Sequence, residues 1–168
     1  MAIESSRLIF RQYNDDDFEF LYSLLSDPEM VKYIGLGKTR DKEGTKIFLE
    51  WIYSTYKISS DRGLMVFINK DNNIQIGHAG LIPQTVDGSD ELEIGYWISR
   101  KHWEKGYATE AAITLRDYGR NQLGKDRFIA LIQPDNLVSK KVANKLGMRL
   151  EKEIVLAGRN VHVHSIDY

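Results

Sequence analysis

A chain of 168 residues, 42% hydrophobic and 28% charged, has the size and composition of one soluble globular domain with a sizeable core. A formal net charge of -1 supplies no field for a general polyanion, so nucleic acid is not an expected partner. The absence of cysteine excludes a disulfide framework, a thiolate metal site and a cysteine nucleophile.

Leu8 to Tyr13 reads as a first strand, and Asn14-Asp15 offers a cap for a helix from Phe18 to Leu25. Ser26-Asp27-Pro28 ends that helix and restarts a short one through Met30 and Val31. Asp41 to about Tyr56 carries a helical stripe of Ile47, Phe48, Trp51, Ile52 and Thr55, expected in the core. Strands follow at 64–68 and 74–85, separated by the turn Asp71-Asn72-Asn73. After the connection 87–90, the run 91–98 alternates, with Leu92, Ile94, Tyr96 and Ile98 on one face and Glu93, Gly95 and Trp97 on the other.

Trp103-Glu104-Lys105-Gly106-Tyr107-Ala108-Thr109-Glu110 joins that strand to a helix with Ala108, Ala111, Ala112, Leu115, Tyr118 and Leu123 on one stripe, closed by Gly124. The first amides of a helix have no partner within it and carry partial positive charge, which suits a diphosphate. Small residues at 106 and 108 equally suit a turn that is merely tight. A strand at 127–132, a short helix at 138–146 and a hairpin of strands at 153–156 and 161–167 complete the chain. One strand-helix-strand crossover among hairpins predicts an α+β fold: a mixed, mostly antiparallel sheet with helices on its faces, in a single domain over 1–168. No secretory leader or membrane-length apolar run is visible, so a cytoplasmic protein without a membrane partner is expected.

Several blocks in this order resemble the GCN5-related N-acetyltransferase (GNAT) superfamily, and most closely its ribosomal-protein N-terminal acetyltransferase-like subgroup. They are Arg7-Leu8-Ile9-Phe10-Arg11 with the Asp-rich stretch and helix after it, Glu93-Ile94-Gly95-Tyr96-Trp97-Ile98, the block from Trp103 to Ala111, and Asn136-Leu137-Val138-Ser139 with Lys145-Leu146-Gly147-Met148. The resemblance covers nearly the whole chain. Three positions depart from the usual pattern: Trp103 for Gln or Arg, Glu104 for Gly, and Met148 for an aromatic residue.

The resemblance implies about seven strands with four or five helices and two splayed parallel strands in the middle. It implies acetyl-CoA as co-substrate, with no metal, and an N-acetyltransferase acting on a primary amine of a protein N-terminus or a small molecule. The cofactor-binding residues it implies are Trp97, Ile98, Glu104, Lys105, Gly106, Tyr107, Ala108, Thr109, Asn136 and Ser139. The catalytic pair it implies is Glu93 as base and Ser139 as proton donor to the thiolate. Glu93 also reads as a cross-strand partner, Ser139 as a helix cap, and Tyr96 as either cleft or core. Lys140, Lys141 and Lys145 form a basic strip near the expected adenine end or a solvated face. Acceptor loops are expected within 30–40 and after Leu156. His162 and His164 make a poor metal site, and His78 and His102 are expected at the surface or in the cleft. A non-catalytic acyl-CoA sensor is the alternative function, and the chain is expected as a monomer or homodimer.

Overall fold

The run Leu64-Met65-Val66-Phe67 lacks a two-residue alternation because its strand is covered on both faces. In the computed structural model, which describes residues 2–168, that strand is β2 (Gly63–Asn69). Met65 and Phe67 join Leu8, Phe10, Ala111 and Leu115 in one core cluster. Leu64 and Val66 join Leu21, Leu49 and Ile52 in another, on the opposite face.

Seven strands lie in the order β1-β2-β3-β4-β5-β7-β6. They are β1 (Leu8–Gln12), β2, β3 (Gln75–Val86), β4 (Ser89–Ile98), β5 (Arg127–Ile132), β6 (Arg149–Leu156) and β7 (Arg159–Asp167). Every neighbouring pair is antiparallel except β4 and β5, which are parallel. Helices α1 (Phe18–Leu25), α2 (Pro28–Val31) and α3 (Lys42–Ile58) precede β2. Helix α4 (Tyr107–Asn121) makes the crossover from β4 to β5, and α5 (Leu137–Lys145) follows β5. The mixed, mostly antiparallel architecture expected from the sequence is the one observed.

The cap at the first helix is Asn14, whose side chain accepts from the Asp16 amide at 2.9 Å and opens a short 3₁₀ turn, Asp15–Asp17. Asp17 is buried and held by Arg11 at 2.7 and 2.8 Å and by Gln75 at 2.7 Å, which pins the turn to β1 and β3. The β6–β7 hairpin is longer than its apolar pattern suggests. Strand β6 is a sheet edge with mostly exposed side chains, so no face is forced to be apolar.

Helix α3 departs from expectation in the face it buries. Its buried residues are Thr45, Leu49, Ile52 and Thr55, while Ile47 and Trp51 stand 56% and 43% exposed. The two threonines are compatible with burial because their hydroxyls donate within the helix, to Asp41 O at 2.8 Å and Ile52 O at 2.6 Å. The buried face keeps Ile52 and Thr55 of the expected stripe but turns away from Ile47 and Trp51 toward Thr45 and Leu49. Leu49→Ala is expected to cost about 2–5 kcal/mol of stability. Trp51→Ala is expected to cost less than about 1 kcal/mol, a contrast that urea unfolding measures directly.

His78 is likewise a core residue rather than a surface one. It is fully buried on β3, stacks on Phe48, and its Nδ1 lies 2.6 Å from the Tyr13 hydroxyl. Burial alone lowers its pKa to about 3, so the ring is neutral.

Candidate active site

Strands β4 and β5 run side by side but pair at one position, Glu93 with Ile129. No other ladder pair joins the two strands, and the unpaired stretch beyond Glu93 and Ile129, toward their C-terminal ends, is termed the gap. On one face of the gap lie Leu92, Ile94, Tyr96 and Ile98, packed with α4 residues. On the other lie Glu93 and Trp97. The alternation read from the sequence over 91–98 is thus the observed one.

The turn at the head of the gap is built from the end of β4. Ser99 N–H donates to Ile76 O at 2.9 Å, and a 3₁₀ turn, Arg100–His102, follows. Trp103, where the family pattern differs, anchors the turn by donating its indole N–H to Ile98 O at 2.7 Å. Glu104 and Gly106 both have positive φ, 63° and 79°, and Gly106 is the N-cap of α4 without any side-chain cap. A glycine suits this left-handed position because a Cβ is disfavoured there. The first helical bond is Glu110 N–H to Gly106 O at 3.1 Å. Among the described residues, none of the six amides from 104 to 109 donates to a protein acceptor. That is a basin for an anion made of main chain, with the α4 dipole behind it.

Glu110 does not spoil this basin. It accepts from Arg7 Nε at 2.7 Å and from Arg7 N at 3.1 Å, and the Ser5 hydroxyl also binds it. Burial alone would raise its pKa, but the bonds from Ser5 and Arg7 outweigh that and hold it below the ordinary value. The Arg7 guanidinium in turn lies over the Tyr107 ring, 4.3 Å from its centroid. Nothing local in the sequence marks this partnership, which spans more than a hundred residues.

Glu93 stands half-buried at the point where the strands part. Its carboxylate accepts from Gln84 Nε2 at 2.9 Å. Burial raises its pKa, and Gln84, with the Leu131 amide on the facing strand, opposes the rise without cancelling it. Gln84 was readable only through the β3–β4 register, which pairs Ile82 with Glu93 and Gln84 with Glu91. The Asp87-Gly88 turn sets that register, and the longer connection expected at 87–90 obscures it.

Asn136 is the N-cap of α5, its side chain accepting from the Ser139 amide at 3.3 Å. Ser139 is therefore not the cap, and its hydroxyl is left for other work. It lies beside the Tyr96 phenol, whose pKa burial pushes up to about 12, with Ser139 resisting and the Glu93 charge adding to the rise. Tyr96 is thus both packed against the core and turned toward Ser139, joining the two alternatives. The Trp97 ring points away from Ser139, against Phe48, His78 and the cluster of Leu24, Met30 and Val31. Any contact of Trp97 with a cofactor on the Tyr96 side is made by its main chain.

The two expected acceptor loops meet near the open end of the gap. Gly35 O accepts from Gln133 Nε2 at 2.8 Å, and Leu36 O accepts from Arg159 Nη2 at 3.3 Å. His162 and His164 lie 6.3 Å apart by ring centroids on β7, and His162 Nε2 is 3.2 Å from Glu153. Among the described residues, no group of three or more His, Cys, Asp or Glu side chains is placed to hold a metal ion.

A family model described as "Acetyltransferase (GNAT) domain" matches residues 7–149. A protein of Bacillus subtilis strain 168 named "Uncharacterized protein YkkB" is 36% identical over 154 residues, which cover 89% of this chain and 86% of that protein. The same organism's "Uncharacterized N-acetyltransferase YnaD" is 32% identical over 152 residues, covering 90% and 84%. A solved acetyltransferase of the GNAT family from Bacillus anthracis superposes with a TM-score of 0.81 at 29% identity, over 99% of this chain and 98% of that one. RimL, a ribosomal L7/L12 alpha-N-protein acetyltransferase solved in complex with coenzyme A, has the same fold, with a TM-score of 0.81 at 16% identity over 99% and 98% of the two chains.

Proposed function

The chain belongs to the GNAT acetyltransferase family, and from that membership we propose that it moves an acetyl group from acetyl-CoA to a primary amine by direct attack. The observation that carries this reading is the row of six unpaired amides, 104–109, heading a gap between two parallel strands. The diphosphate of acetyl-CoA rests on those amides. The pantetheine arm lies in the gap and pairs with main-chain groups of β4, as a peptide does at a sheet edge. Asn136 keeps its amide N–H donors for the arm, because only its oxygen is used as the α5 cap. A main-chain amide near Ile98 polarises the thioester carbonyl.

The acceptor arrives as an ammonium and must lose a proton before nitrogen can attack. Glu93 takes that proton, directly or through a water, and its raised pKa makes it a better base than an exposed carboxylate. The new C–N bond forms as the C–S bond breaks, and the nitrogen's remaining surplus proton passes to the departing sulfur to give the free CoA thiol. The Ser139 hydroxyl donates a hydrogen bond to the departing thiolate, and the Tyr96 phenol beside it restricts its orientation. The acceptor is a protein N-terminus or a small-molecule amine that enters from the Glu93 face.

The test is release of free CoA thiol from acetyl-CoA in the presence of a broad panel of amines, including short peptides. Turnover with at least one amine is the expected result. Tight CoA binding by calorimetry with no transfer to any amine would identify an acyl-CoA sensor and overturn the enzymatic reading.

A further inference from the structure

The N-terminal side of the single β4–β5 pair holds an arrangement that the acetyl-transfer chemistry does not use. Arg127, the first residue of β5, donates Nε to both carboxylate oxygens of Glu91 on β4, at 3.1 and 3.0 Å. Its Nη1 reaches Asp167 on β7 at 3.3 and 3.2 Å. Its Nη2 reaches Glu151 on β6 at 3.1 and 3.1 Å. One guanidinium on β5 thus grips the three other strands in this half of the sheet.

The register gives this grip its position. Glu91 and Arg127 each stand two residues before the paired Glu93 and Ile129, so they share the Glu93 face one pleat earlier. Among the described residues it is the one ion pair that joins β4 to β5. Elsewhere in the sheet a ladder of several pairs sets the angle between neighbours. Between β4 and β5 the ladder is a single pair, which leaves the angle open to rotation. The guanidinium plane is fixed by three carboxylates at once, so the Nε–H shared between the two Glu91 oxygens is held in direction as well as distance. Glu91 is 10% exposed and Arg127 30%, so the contact is partly shielded from water and salt.

Resting on the reading that the pantetheine arm occupies the gap, we propose that Arg127 is its fulcrum: by holding Glu91 of β4 against β5, it fixes the angle at which the two strands part. The width of the slot for the arm follows from that angle. Arg127 touches no reacting atom and is a positioning residue. The diphosphate basin at 104–109 lies at the opposite end of β4 and does not depend on it.

The test compares Glu91→Gln and Arg127→Lys with Asp167→Asn, each checked for folding by circular dichroism. The probes are S-acetylpantetheine, which has the arm and no nucleotide, and 3′-phospho-ADP, which keeps the diphosphate and lacks the arm. Glu91→Gln and Arg127→Lys are expected to raise KM for S-acetylpantetheine and acetyl-CoA about tenfold, as for a lost charge-assisted hydrogen bond. The dissociation constant for 3′-phospho-ADP stays unchanged in both. Asp167→Asn, which cuts only the β7 contact, leaves both constants as they were. A folded Glu91→Gln protein with unaltered KM for S-acetylpantetheine sinks the fulcrum while leaving the gap assigned to the arm. Equal weakening of both probes, or an equal KM rise in Asp167→Asn, also sinks it, since general loosening then explains the loss. If the wild-type protein does not bind S-acetylpantetheine, the assignment of the gap fails, and the fulcrum fails with it.

Discussion

Glu93→Gln is expected to slow acetyl transfer by about 10²–10⁴ and, in the same protein, to raise the melting temperature at neutral pH. The first effect follows from removing the group that takes the ammonium proton. The second follows from burial, which raises the Glu93 pKa above its unfolded value. Below the unfolded pKa the carboxyl is protonated in both states, and its full contribution to stability is present. As pH rises through the raised folded pKa, the carboxylate ionises in a poorly solvated place, and that contribution is lost. Glutamine never ionises, and its side-chain oxygen still accepts from Gln84. The two proteins should therefore melt alike in acid and diverge toward neutrality, with the variant the more stable. Thermal unfolding across that range, run beside pH–rate profiles, measures both. A variant whose rate and pH dependence match the wild type removes Glu93 from the role of base. A variant that is less stable at neutral pH contradicts the burial argument.

Gly106→Val is expected to raise KM for acetyl-CoA by roughly 10²-fold while kcat at saturating donor falls little. Gly106 sits at φ 79°, where a β-branched residue is a severe outlier. Space is not the obstacle, because a Cβ would meet only Arg7 Nη2, at 3.5 Å. The backbone relieves the strain by rotating φ to a negative value. That swings the amides beside residue 106 out of the row facing the diphosphate. Losing two charge-assisted hydrogen bonds of about 1.5–3 kcal/mol each is more than enough for the stated effect. Glu93 and Ser139 lie on β4 and α5 and are not disturbed. Gly88, at φ 78° in the β3–β4 turn, is the matched control: Gly88→Val carries the same backbone penalty away from the amide row. Steady-state kinetics on both variants separate the cases. If KM is unchanged in Gly106→Val, or rises as much in Gly88→Val, the amide row is not the diphosphate site.

Much of the candidate site was legible because it is written in short spacings. Two-residue alternation placed Glu93 and Tyr96 on opposite faces of β4, and a small residue ahead of an alanine-rich stripe marked the head of α4. These patterns depend on backbone geometry and on which face is buried, both of which repeat within a few residues. The same logic misread part of α3, because Thr45 satisfies its own hydroxyl and enters the core without looking apolar, while Ile47 and Trp51 stay exposed. It also misplaced His78, whose burial depends on Tyr13, Phe48 and Trp97 arriving from three other segments.

The order and types of elements, the mixed sheet and the identity of the amide-bearing turn thus followed from local chain chemistry, strengthened by a pattern of blocks that resembles one family. Folding had to supply the rest. It set Gln84 and the Leu131 amide on Glu93, spent Arg7 on Glu110, and gathered Glu91, Glu151 and Asp167 around Arg127. Charge, burial and hydrogen-bond partners belong to residues brought together from distant parts of the chain. No periodicity along a strand or helix encodes such meetings, because they depend on strand order and register, and those are settled only when the whole sheet closes.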